Sequence, residues 1–162
     1  AIAERRGMAS SLDDRREAVI DVKISAFIPN DYIPQVSQKI AVYQQLAKAR
    51  SQIAVEEIAA GVRDRFGPLP LPLERLVELT KLRAIALERR VTRVVVDERR
   101  LTLGVGTGFE LDPAAIPKLQ SLTKNRFRFG EGKIVVDLPA VPAAEAPETT
   151  WMPLLRKLLE AL

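Results

Sequence analysis

The spacing of apolar residues changes along the chain, and the changes mark its elements. In Val19-Ile20-Asp21-Val22-Lys23-Ile24, apolar and polar side chains alternate. This predicts a half-buried strand, because successive strand side chains point to opposite faces. Pro29-Asn30-Asp31 and Pro34 mark a loop, with Tyr32 and Ile33 packed between them. The period then becomes three to four. Val36, Ile40, Tyr43, Leu46 and Ala47 form the stripe of a first predicted helix. Val55, Ile58, Ala59, Val62 and Phe66 form that of a second, which Ser51 is placed to cap. A third helix is predicted over 73–89, where Leu76, Val77, Leu79, Leu82, Ile85 and Ala86 cover more than one face. A helix apolar over so wide an arc belongs at the centre of a domain. Pro68, Pro70 and Pro72 stiffen the connection before it, since each ring fixes its own φ.

The second half reads differently. Residues 91–96 and 101–105 are β-rich and flank Asp97-Glu98-Arg99-Arg100, a hairpin signal without the favoured glycine. Asp112-Pro113 is an N-cap followed by proline at the first helical position, opening a short helix to about 122. Residues 126–129 and 133–138 flank Gly130-Glu131-Gly132, the clearest hairpin, with glycines free to take positive φ. An Ala/Pro/Glu linker spans 139–147, and Thr149-Thr150 precede a last helix striped by Leu155, Leu158, Leu159 and Leu162. That stripe fits either the domain's own core or a partner, with Trp151 as anchor in both cases. Helices first and strands later predict an α+β fold, a helical N-terminal half packed with a largely antiparallel sheet from the C-terminal half. The strand at Val19 is expected to join that sheet at a place the sequence leaves open. Three segments follow: 1–18, the end of a preceding helix and a flexible linker; 19–138, the α+β domain; and 139–162, linker and last helix.

Composition narrows the chemistry. The 162 residues are 47% hydrophobic and 28% charged, ordinary for a globular domain, and the net charge of +4 comes from well-mixed signs. There is no cysteine and no histidine, which excludes disulfides, thiol chemistry and Cys/His metal sites. General acid–base catalysis would fall to Asp, Glu, Lys or Tyr. No enzyme activity, cofactor or metal is expected of the domain. No apolar run approaches the ~18 residues of a membrane span. Residues 1–7, Ala1-Ile2-Ala3-Glu4-Arg5-Arg6-Gly7, lack the apolar core of a signal peptide. A cytoplasmic fragment of a larger protein is the expectation.

Individual motifs carry little chemistry. Gly104-Val105-Gly106-Thr107-Gly108 lacks the Lys-Ser/Thr of a phosphate loop and precedes Phe109 and Glu110, so it reads as a loop after a strand. Arg89-Arg90, Arg93, Arg99-Arg100 and the group Lys124, Arg126, Arg128 could meet phosphates, and a nucleic-acid-binding module is the alternative reading. Only Phe127 and Phe129 interleave with them, poor support for base stacking. Glu56, Glu57, Glu74, Glu78 and Glu88 lie near Lys and Arg at helical spacing and read as surface ion pairs.

One local conflict stands out in Asp64-Arg65-Phe66-Gly67-Pro68-Leu69-Pro70. Gly67 suits a left-handed helix end and Pro68 blocks continuation. Arg65 suits the negative end of the helix dipole; Asp64 does not, and a carboxylate there costs roughly 0.3–1 kcal/mol. Asp64 therefore calls for a cationic or N–H partner. For Asp64 and Arg65 together, the partners lie within the domain, as an ion pair with Arg75 or Glu74 across the proline loop, or on another domain.

This motif, with Ala26-Phe27-Ile28-Pro29-Asn30-Asp31-Tyr32-Ile33-Pro34 and Tyr43-Gln44-Gln45-Leu46-Ala47 in the same order and spacing, resembles the C-terminal domain of bacterial transcription-repair coupling factors (Mfd) over about 19–138. The resemblance implies a non-catalytic regulatory domain that docks within its own protein, on the UvrB-like N-terminal module. Docked, it would mask the surface that recruits UvrA and repress the ATPase and translocase motor until RNA polymerase is engaged. It implies partner-binding residues on one helix: Gly61, Arg63, Asp64 and Arg65. Gly61 departs from the pattern, which often has an acidic residue there. Direct DNA binding and membrane contact are not implied.

Overall fold

The computed structural model describes residues 18–140 and 148–162. The expectations for residues 1–17 and for the linker at 141–147 lie outside the described residues. The order is β1 (Val19–Asp21), α1 (Val36–Lys48), α2 (Gln52–Phe66), α3 (Leu71–Glu88), β2 (Val91–Val96) and β3 (Arg100–Val105). A 3-10 turn (Pro113–Ala115) then leads into α4 (Ile116–Thr123), followed by β4 (Phe127–Gly130), β5 (Lys133–Asp137) and α5 (Glu148–Ala161). The five strands form one sheet in the order β1-β2-β3-β5-β4. β1 runs parallel to β2, and the remaining pairings are antiparallel. The α+β expectation holds. The open position is also settled: the early strand takes the sheet edge beside β2. Its alternation has Ile20, Val22 and Ile24 packed on the core while Val19 stays 52% exposed.

Local chemistry explains the boundaries. The Ser51 hydroxyl accepts from the Ala54 N–H at 3.1 Å, capping α2. Gly67 ends that helix at φ +94°, a conformation glycine adopts without penalty. The β2–β3 hairpin manages without glycine because the Asp97 carboxylate accepts from the Arg99 N–H at 3.1 Å. This Asx turn takes the place of the missing residue. In the β4–β5 hairpin the positive φ falls on Glu131 (53°) and Gly132 (71°), while Gly130 is a strand residue. A two-residue loop with both φ positive matches the twist of the strands it joins.

Two apolar clusters meet on α3. Its first half sends Leu73 and Val77 into a cluster with Ile28, Ile33, Val42, Leu46 and Val55. Its second half sends Leu82, Ile85 and Ala86 into a cluster with the sheet. The expected central helix is thus observed, and the reason is that it belongs to two cores. The last helix docks at home: Trp151, Leu155, Leu158 and Leu159 are buried against the sheet cluster. Arg156 fastens it sideways, donating to Glu78 Oε1 on α3 at 2.6 and 2.9 Å and to Gln52 on α2 at 2.9 Å.

One stripe needs correction. The predicted inward face of α1 included Val36, Ile40, Tyr43 and Ala47, yet its buried residues are Val42 and Leu46. Val36, Ile40 and Tyr43 remain 62%, 49% and 37% exposed. The helix carries apolar residues on two faces, and periodicity alone does not say which one the fold covers.

Candidate interaction surface

The residues singled out by the sequence sit on the last turns of α2. Val62 points into the core while Gly61, Arg63, Asp64 and Arg65 are exposed. A Cβ built on Gly61 meets nothing within 4 Å, so packing does not demand glycine there, although it weakens the helix by up to ~1 kcal/mol.

Each charge has a distinct setting. Arg63 donates to Glu56 Oε1 at 2.9 Å, about two helical turns back on the same face, and Lys81 of α3 donates to Glu56 Oε2 at 2.6 Å. The hydrogen bond from Lys81, then that from Arg63, pulls the Glu56 carboxyl down to about 2. Arg63 is thus already engaged within the domain. The Arg65 guanidinium lies 5.0 Å over the Phe66 ring, a cation–π contact that holds it near the helix end. Asp64 has no hydrogen bond or ion pair among the described residues. The intradomain pair with Arg75 or Glu74 does not form.

The helix end is braced from behind. The Tyr32 ring packs against Phe66 with centroids 5.9 Å apart, and its hydroxyl donates to the Gly67 carbonyl at 2.6 Å. Burial raises the Tyr32 pKa, an effect the nearby Arg63 charge opposes. The Tyr43 hydroxyl accepts from the Ile28 N–H at 2.8 Å. The three sequence motifs at 26–34, 43–47 and 64–70 are therefore tied to one another by side-chain contacts. Arg83 adds a further tie, donating to the Leu46 and Ala47 carbonyls at 2.7 and 3.2 Å and so satisfying the end of α1. Between α1 and α2 an open concavity of about 560 Å³ adjoins the exposed turn. It is lined by the apolar Ala49, Ile58 and Val62, by Gly61, and by the charged Lys48, Glu57 and Arg65.

The other candidates do not assemble into a site. In the glycine-rich segment the Gly106 N–H donates to the Arg90 carbonyl at 2.9 Å, so that donor is spoken for, and Phe109 follows in non-helical chain. Arg93, Arg100 and Arg128 lie on the outer sheet face at 3.7, 3.9 and 3.8 Å from Asp21 or Asp137. Phe127 and Phe129 pair in register with the buried Val136 and Ile134, hence on the opposite, core-facing side. The basic face has no aromatic platform for bases from that strand. Among the described residues no cluster of acidic side chains is arranged to hold a metal ion, and no helix is long and apolar enough to cross a membrane.

The geometry defines a class: an α+β domain whose most distinctive surface is a charged, braced helix end rather than a cleft lined with reactive groups. The TRCF domain family matches residues 22–116, more than half of the chain, and the chain belongs to that family. It is 30% identical to the transcription-repair-coupling factor of Haemophilus influenzae over 94 residues, covering 57% of this chain and 8% of that protein. It is 28% identical to that of Escherichia coli over 99 residues, 60% of this chain and 9% of that one. It is 27% identical to that of Myxococcus xanthus over 128 residues, 79% and 10%. The chain thus spans about a tenth of these relatives' length. A crystal structure of the C-terminal domain of transcription-repair coupling factor has the same fold, with a TM-score of 0.72 over 90% of this chain and 93% of that one at 21% identity. The resemblance read from the three motifs is borne out at the level of family and fold.

Proposed function

We infer that this chain is the regulatory C-terminal domain of a cytoplasmic transcription-repair coupling factor and carries no reaction of its own. It docks on the UvrB-like N-terminal module of the same protein, masks the surface that recruits UvrA, and restrains the ATPase and translocase motor until RNA polymerase is engaged. The observation that carries this reading is Asp64. Its carboxylate is exposed at the wrong end of a helix dipole and has no partner among the described residues. Arg65 beside it is held in place by Phe66, and the adjoining concavity offers apolar surface beside charged side chains. Charge pairs at a rim give orientation and specificity while leaving release cheap, which suits a switch between docked and open populations.

In the parent protein, Asp64→Ala and Arg65→Ala should each raise basal ATPase turnover and UvrA binding several-fold, a shift of about 1 kcal/mol in the docking equilibrium. Neither should lower the thermal midpoint of this chain alone, because both side chains are exposed. Unchanged ATPase in both variants removes these residues from the mechanism. Titrating the chain against the N-terminal module, with no binding seen, removes the docking itself.

A further inference from the structure

Among the described residues, the outward face of α1 is an exposed helix seam. Val36, Ile40 and Tyr43 are 62%, 49% and 37% exposed, and the exposed Ala47 continues the row. Their spacing is four, three, four, the narrow a/d pattern of a coiled-coil contact. Phe27, 45% exposed, flanks it, because the N–H of the next residue, Ile28, donates to the Tyr43 hydroxyl. That bond engages the phenol oxygen as an acceptor and leaves the ring as apolar surface. Apart from the inward Val42 and Leu46, the remainder of α1 is Ser, Gln, Ala and Lys, with no acidic residue at all. Apolar and aromatic groups with charge depleted around them are the composition of an interface centre.

Size and charge choose the occupant. A seam of four side chains falls well short of the ~1,200 Å² that freestanding complexes bury in total. A second copy or a diffusing partner would not stay. A helix on the same polypeptide would, since a tether supplies an effective concentration on the order of 1 mM. About nine tenths of a protein of the relatives' length lies outside this chain. Lys39, whose ammonium donates to the neutral Asn30 side chain, and Lys48 flank the row, and no acid on α1 opposes their charge; this favours acidic flanks. We propose that the Val36–Ile40–Tyr43–Ala47 seam receives an acid-flanked amphipathic helix from elsewhere in the same polypeptide, at a row of residues distinct from Asp64 and Arg65, with Lys48 bordering both.

The chain has no cysteine, so single thiols report cleanly. Val36→Cys, Ile40→Cys and the neighbouring exposed positions Ser37→Cys and Gln44→Cys are labelled with a maleimide, in this chain and in the parent protein, and read by peptide mass spectrometry. A contact of about 0.1 mM against that effective concentration leaves about one tenth of the seam open. The thiols at 36 and 40 should therefore label about tenfold slower in the parent than in the chain, while those at 37 and 44 label alike in both. The protection should persist when Asp64→Ala is added and should weaken as salt is raised. Equal rates at 36 and 40 overturn the proposal. So does protection of all four positions, which means a broad cover, or protection lost with Asp64→Ala, which means a single interface. Protection in the isolated chain that grows with concentration assigns the seam to a second copy instead, and salt-insensitive rates remove the acidic flank. Each variant's thermal midpoint, measured in this chain, guards against misfolding.

Discussion

Gly61 and Glu56 lie on the same helix and show how much a single residue discloses. Gly61 has no steric need to be glycine, so its cost is the backbone freedom it brings to the unfolded chain. Gly61→Ala should raise stability by up to ~1 kcal/mol, read as a higher urea midpoint at unchanged slope. A lower midpoint would mean that the helix there is held in a way the backbone does not reveal. Glu56 makes a pH statement. Its carboxyl is pulled from 4.5 to about 2 by Lys81 and Arg63, so its contribution is full above pH 4.5 and is lost as pH falls toward 2. The group is largely exposed, and the effect on overall stability is small. Glu56→Gln should lower the neutral-pH midpoint slightly and converge with wild type as pH falls toward 2, removing that component of the pH dependence in acid unfolding. Asp64 was conspicuous in the sequence because a dipole rule acts within one turn. The engagement of Arg63 was not, because Glu56 is also held by a lysine on α3, and that pairing exists only once α2 and α3 have packed.

At the scale of elements, the helices and hairpins were legible where local chemistry is strong. Ser51, Gly67, Asp112 and Gly132 each do in the fold what their residue type does in isolation. The faces were less legible. α1 has apolar side chains on two sides, and its covered side is set by where α2, α3 and the loop at 28–33 lie. α5 was ambiguous between core and partner surface for the same reason: an apolar stripe is blind to its address. The structure seats it in the sheet cluster, where Leu158 and Leu159 have no accessible surface. Leu158→Ala should therefore cost ~2–5 kcal/mol, measured by chemical unfolding of the whole chain. A change under about 0.5 kcal/mol, the size of an ordinary surface effect, would show that α5 contributes little to the folded core.

At the scale of the whole molecule, two clusters share one helix, and this arrangement positions the helix end proposed to dock. α1, α2 and the first half of α3 form a helical layer whose far side carries the Asp64–Arg65 turn, while α5, through Arg156, ties that layer to the sheet. The back of the turn is fastened by the Tyr32–Phe66 ring contact and the Tyr32 hydroxyl bond to the Gly67 carbonyl. A rigid charged projection suits a docking contact, since little conformational entropy is lost when it binds. The amino-acid sequence alone determined the identity of most elements, the α+β class, the absence of thiol and imidazole chemistry and, through three linked motifs, the family. These follow from interactions spanning a few residues: periodicity, caps, turn chemistry and residue type. Only the tertiary structure decided the parallel place of β1, the inward face of α1, the home of α5, and which charges on α2 are already paired. Those depend on contacts between residues far apart in the chain, where burial and a partner's position, rather than local preference, set the balance of free energy.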